Sequence, residues 1–178
     1  MKWIVQSNKT LRVGENFYKA QIGSGGFISG DKKQEGDYCT PCGQFPVRVI
    51  YYREDRVKLP EVKIPAFSIS RDDGWCDDSK DKDYNKFVKL TDNYNASHEK
   101  LWRDDHLYDV IITIGYNDEK PVAGKGSAIF IHAARPEFTP TAGCIALELN
   151  ELLGILPTLD INSCIEIIGD AEQQDHVC

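Results

Sequence analysis

The hydrophobic positions of this chain fall into short runs separated by polar segments rich in Gly, Asn and Asp. Trp3 to Gln6, Leu11 to Val13 and Phe17 to Ile22 predict three successive strands. The turn Ser7-Asn8-Lys9 joins the first two, and Gly23-Ser24-Gly25-Gly26 ends the third. Val47 to Tyr52 predicts another from its β-branched and aromatic residues, and Val62 to Ile69 alternates as a fifth. Within Tyr108 to Tyr116, Val110 to Ile114 is apolar nearly throughout, as in a strand covered on both faces at a sheet centre. Apolar runs at Ala128 to Ile131, Ile145 to Leu149 and Ser163 to Ile168 complete the set.

Helical spacing is confined to Glu148 to Leu156, where Leu149, Leu152, Leu153 and Leu156 share a face and Pro157 is the stop. Ser97 to Arg103 predicts one or two further helical turns with Ser97 as N-cap. Arg53 to Pro60 and Arg71 to Lys82 read as solvated polar connections. Many short strands with dense turn residues predict a mainly β fold, a sandwich of mixed sheets with short helical insertions.

At 178 residues the chain predicts a single domain, residues 1–168, with a disordered tail over 169–178. A net charge of −7 argues against nucleic acid and gives no support to an anionic membrane surface. No apolar stretch reaches the length of a membrane span, so no membrane insertion is expected. Met1 to Asn8 turns polar too early for a secretory signal. That leaves a cytoplasmic protein, another export route, or a mature fragment.

Six cysteines, at 39, 42, 76, 144, 164 and 178, are too sparse for a disulfide scaffold. Cys39 and Cys42 form a Cys-x-x-Cys, open to a redox pair, half a zinc site or a local disulfide. Gly43 and Pro46 oppose the helix a thioredoxin-like motif needs, and no second ligand pair accompanies it for zinc. Asp72, Asp73, Asp77 and Asp78 around Gly74 lack the spacing of a calcium loop. No metal or organic cofactor is expected.

The chemistry concentrates between Ser127 and Leu147. His132 ends one apolar run and Cys144 begins the next, twelve positions later, across a loop with two prolines. A thiol becomes a nucleophile as its thiolate, and an imidazole can take its proton near neutrality. Gly143 permits a sharp turn before Cys144 and leaves the amides of Gly143 and Cys144 as candidate oxyanion donors. On spacing alone, a buried structural cysteine beside an unrelated histidine is an equal reading.

Ile129-Phe130-Ile131-His132 and Thr141-Ala142-Gly143-Cys144-Ile145 resemble the active-site motif of the L,D-transpeptidase (YkuD-type) family. Thr40-Pro41-Cys42-Gly43-Gln44-Phe45 resembles a second family segment, a turn opening the next strand, and Asp73 to Asp78 a segment of one branch. The resemblance implies the L,D-transpeptidase fold, with Cys144 as nucleophile, His132 as its base and the Ala133 carbonyl orienting the ring. It further implies substrate contacts at Thr141, with Trp75 and Cys76 at the rim of the groove. The family's His before the Gly and its Arg two residues after the Cys are Ala142 and Ala146 here, with Arg135 as the candidate replacement for that Arg.

The implied activity is acyl transfer on peptidoglycan stem peptides through a Cys thioester, without metal or cofactor, in a bacterial cell envelope. Hydrolysis of the same substrate, as an L,D-carboxypeptidase or endopeptidase, and a non-catalytic peptidoglycan-binding module are the alternatives.

Overall fold

The computed structural model describes residues 1–169, so the expected tail lies, except for Gly169, outside the described residues. In chain order the strands are β1 (Lys2–Gln6), β2 (Thr10–Val13), β3 (Asn16–Gln21), β4 (Phe27–Ser29) and β5 (Thr40–Tyr52). There follow β6 (Ala66–Ser68), β7 (Asp73–Cys76), β8 (Phe87–Lys89), β9 (His98–Lys100) and β10 (Val110–Ile114). The last are β11 (Phe130–Ala133), β12 (Ile145–Leu147) and β13 (Cys164–Ile167), with helix α1 (Leu149–Ile155) between β12 and β13. This is the mainly β fold expected from the sequence.

Two strands pass from one layer of the sandwich to the other. Gly43 to Pro46 of β5 pair with β13, and Val47 to Tyr52 pair with β10. Asn16 to Lys19 of β3 pair with β2, and Ala20 and Gln21 pair with β12. The ladder thus runs β10-β11-β12-β3-β2-β1-β13-β5 and returns to β10, leaving no open edge within that ring. Trp3, Leu11, Ile50, Ile112, Ile131, Ile145 and Ile165, none of them solvent-exposed, fill the space between the layers. Residues Val110 to Ile114 are all buried, as their composition predicts, with β5 on one side and β11 on the other.

β5 begins seven residues before the apolar run that announces it. Pro41 and Pro46 are tolerated because a strand proline still offers its carbonyl, and Pro46 O accepts from Gly115 N at 2.8 Å. Val62 to Ile69 is cut down to β6, since Pro65 precedes the paired segment. The helix starts where expected: Glu148 caps it by accepting from Glu151 N at 2.9 Å, and Pro157 lies in a single 3₁₀ turn beyond it.

The stretch from Arg71 to Arg103 departs most from expectation. Asp73–Cys76 is not a solvated loop but the centre of a small sheet, flanked by β8 and β9, and Asp73 is 3% exposed. Residues 98–100 form an edge strand rather than a helical turn. Strands of three or four residues are too short to display a period of two, and their polar side chains hide it further.

Trp75 docks this small sheet onto the body: its ring meets Phe130 of β11 edge-on at 4.9 Å. Its indole N–H donates to Asn85 Oδ1 at 2.9 Å, and that oxygen also accepts from Ala128 N at 3.0 Å. Trp75→Ala should therefore cost about 3 kcal/mol in urea unfolding. Backbone exchange should speed up in β7 to β9 well before β10 and β11. Uniform acceleration across both sheets would contradict this docking role.

Candidate active site

β11 and β12 run parallel, with Ile131 beside Ile145 and His132 beside Ala146. Side chains alternate across a strand, so this register sorts them cleanly. Ile131, Ile145 and Leu147 enter the sandwich core. Phe130, His132 and Ala146, with Cys144 just before β12, take the other face, where Phe130 and Cys144 belong to a second apolar cluster. His132 and Cys144 line one cleft of about 420 Å³.

The turn before Cys144 is pinned from three sides. Thr141 bridges to Gly23 at the end of β3, with Thr141 N donating to Ile22 O and Ser24 N to Thr141 O, both at 2.9 Å. Thr141 Oγ1 donates to Cys144 O at 2.6 Å. The buried Thr40 hydroxyl donates to Gly143 O at 2.8 Å. Gly143 has φ of +139°, and a Cβ there would stand 2.9 Å from Cys39 O, so a glycine is required. The Thr40 segment singled out in the sequence is thus no turn but the start of β5, and it holds the turn before Cys144.

His132 Nδ1 lies 2.8 Å from Ala133 O, the contact the resemblance leads one to expect. A carbonyl only accepts, so Nδ1 carries the proton and Nε2 is left bare toward the cleft. The Tyr108 ring packs edge-on against the imidazole at 5.4 Å. Burial pushes His132 down to about 4, outweighing the Ala133 contact, so the ring is neutral at physiological pH.

Cys144 is also buried, and burial pushes its thiol up to about 12, with the negative charge of Glu99 acting in the same direction. The thiol donates to Ala128 O at 3.1 Å, and Phe130 N donates to the sulfur at 3.4 Å. The resting pair is therefore thiol and imidazole. No hydrogen bond joins them in this state.

Three expected roles change. Gly143 N donates to Thr141 Oγ1 at 3.1 Å, so this amide is not a free oxyanion donor. The Cys144 amide has no protein acceptor among the described residues. Thr141 lines the cleft, but its hydroxyl is occupied by the two backbone groups of its own turn. Trp75 is absent from the cleft; it lines a separate cavity of about 230 Å³ with Tyr51, Phe87 and Phe130, and Cys76 is fully buried.

Arg135 does line the cleft and makes no ion pair among the described residues. Arg103, Tyr108, Asp77 and Glu99 line it too, and sequence reasoning missed them. Their signal was obscured because Asp77 and Glu99 lie on the short strands and flanks of the small sheet. Arg103 is held in the fork of Asp105, at 2.9 and 2.5 Å. Cys39, half of the Cys-x-x-Cys, keeps a free thiol directed at Gly25 O and Asp37 O, 3.4 Å from each. No group of three or more His, Cys, Asp or Glu among the described residues could hold a metal ion. No helix among them is long and apolar enough to cross a membrane.

Solved structures with a related chain path include L,D-transpeptidase 1 of Mycobacterium tuberculosis, at 13% identity and a TM-score of 0.40. An L,D-transpeptidase of Mycobacterium smegmatis matches at 13% identity and a TM-score of 0.40. L,D-transpeptidase 3 of M. tuberculosis, carrying a faropenem-derived adduct, matches at 14% and 0.43. The matches cover 93–94% of this chain but only 58–59% of those chains. No curated protein matches. A family model, the L,D-transpeptidase catalytic domain (YkuD), matches residues 3–167. With nearly its whole length matched, the chain belongs to the L,D-transpeptidase catalytic domain family.

Proposed function

We propose that this chain transfers acyl groups on peptidoglycan stem peptides through a thioester at Cys144. The carrying observation is the tautomer fixed at His132: with Nδ1–H given to Ala133 O, the bare Nε2 is the base available to a thiol lining the same cleft. Rotation of Cys144 Sγ away from Ala128 O brings its proton to Nε2 as the sulfur attacks. The bond attacked is the amide between meso-diaminopimelate and the terminal D-alanine of a tetrapeptide; it breaks as the thioester forms, and D-alanine leaves with the proton that Nε2 took. Phe130 N, already donating to the sulfur, steadies negative charge on it. The Cys144 amide faces the developing oxyanion. Arg135, unpaired in the cleft, takes a substrate carboxylate in place of the arginine this chain lacks at Ala146.

An amine then accepts the acyl group, giving a crosslink or an exchanged D-amino acid. The deciding experiment is mass spectrometry after incubation with a diaminopimelate-containing disaccharide tetrapeptide, with and without a D-amino acid. Dimer or exchanged product marks transpeptidation, and tripeptide alone marks hydrolysis. Cys144→Ala and His132→Ala should each lower turnover at least about a thousandfold while the circular dichroism stays unchanged. An active Cys144→Ala variant would remove the thioester from the mechanism.

The buried neutral pair also dictates a pH response. His132 moves from 6.5 to about 4 on folding, so the unfolded chain binds the extra proton first. Its contribution to stability is complete above 6.5 and is lost as pH falls toward 4. Cys144 moves the other way, from 9.0 to about 12, so its contribution is complete below 9 and lost as pH rises beyond it. Thermal unfolding of wild type should therefore weaken between pH 6.5 and 4 relative to His132→Gln. Parallel curves for the two proteins across that window would show the imidazole to be solvated.

A further inference from the structure

We propose that Asp77 and Glu99 form a subsite for a primary ammonium group of the ligand, distinct from the Cys144–His132 pair. Which ammonium it takes, the free amine of diaminopimelate or that of the acceptor, rests on the function proposed above; the subsite does not. The register of the small sheet brings the two carboxyl groups together. Trp75 of β7 stands directly across from Glu99 of β9, and Asp77 continues the ladder by donating its N–H to Ser97 O at 3.1 Å. Trp75, Asp77 and Glu99 therefore share one face, with the carboxylates diagonal neighbours. That face is the one Trp75 presses onto Phe130, so docking the sheet carries both acids to the cleft, which they line.

Asp77 is poorly matched by the protein itself. Asp77 Oδ1 is shut off from solvent yet has no hydrogen-bond partner among the described residues. An orphaned carboxylate oxygen is costly, and native structures seldom leave one without a reason. Burial pushes the Glu99 carboxyl up in spite of the hydrogen bond from Tyr108 and the positive charge of Arg103, and the charge of Asp77 adds to the rise. The neighbouring cation, Arg103, is already forked by Asp105. An incoming ammonium would bring both the missing donors and the missing charge. Unpaired Arg135 lies in the same cleft, which thus offers a cation and an acid pair to a zwitterionic amino-acid centre.

The test reads the cleft through its own thiol in the full chain, without any peptidoglycan. Three methanethiosulfonates are compared: aminoethyl (a primary ammonium), trimethylammonioethyl (the same charge without N–H donors) and methyl (neutral). In each, the Cys144 thiolate attacks the sulfenyl sulfur, a disulfide forms, methanesulfinate leaves and the thiol proton passes to solvent. Modification at Cys144 is followed by peptide mass spectrometry. Glu99→Gln changes thiol acidity equally for all three reagents, so rate ratios carry the result.

The aminoethyl reagent should outpace the neutral one about tenfold, with the trimethylammonium reagent well behind it. The advantage should shrink toward unity in Asp77→Asn/Glu99→Gln. A wild-type ratio near one, or equal rates for the two cations, overturns the subsite whether or not the variant folds. A second arm measures binding to the Cys144→Ala chain. Weaker binding of a tetrapeptide acetylated on its diaminopimelate side-chain amine assigns the ammonium to the donor. Weaker binding of D-methionine in the added double variant assigns it to the acceptor. A preserved reagent ratio with neither peptide form bound overturns the peptidoglycan reading and leaves the subsite standing.

Discussion

The arrangement of the site depends on the parallel pairing of β11 with β12. A slip of one residue would exchange the faces, sending His132 into the core and Ile131 into the cleft. What forbids the slip is apolar burial on the far face, where Ile131 and Ile145 are wholly excluded from solvent between the two layers. Each side chain of that size contributes roughly 2 kcal/mol by leaving water, and a slipped register would lose them together. The geometry of the site is thus a by-product of core packing: hydrophobic residues choose the register, and the register chooses which residues meet.

Parallel neighbours need a crossover, most often a helix, yet residues 134 to 144 cross without one. The chain substitutes specific tethers. Ala134 N returns to Leu147 O, Gln21 Nε2 donates to Phe138 O, and Thr141 bridges to Gly23. A second set of tethers reaches Cys144 from elsewhere in the fold. Asn85, 5% exposed, joins the indole of Trp75 to the amide of Ala128, whose carbonyl in turn receives the Cys144 thiol. Thr40 joins the start of β5 to Gly143. Fully partnered polar groups of this kind fix a unique backbone where packing alone would leave several.

This division explains what could be read in the sequence. Runs such as Val110 to Ile114 announce themselves because both faces are buried, and the His132 and Cys144 motif is visible because its ends are apolar strands. The small sheet was illegible: Asp73, Gly74 and His98 are poor strand formers, and their pairing is enforced by docking through Trp75. Trp75 is placed at the groove by the resemblance of its segment to one branch of the family, but a resemblance in sequence does not fix which way a side chain points, and the ring packs against Phe130 instead. The amide of Gly143 was misread for a different reason. Residue type cannot reveal that a threonine two positions earlier turns back to accept its hydrogen.

The electrostatics follow the same partition. His132 lies on β11 and Cys144 just before β12, and burial there disfavours charge on either, so the pair is neutral at rest and shielded. Charge in the cleft comes instead from the small sheet and from loops: Asp77 and Glu99 on one, Arg103 and Arg135 on the others. Those segments contribute little to the main core, so their side chains can differ without disturbing the β11–β12 register. The fold thus separates the pair held by the core from the charges held at the rim. Ala142 stands in the connection before Cys144, whereas Ala146 lies on β12 beside His132 and is 2% exposed.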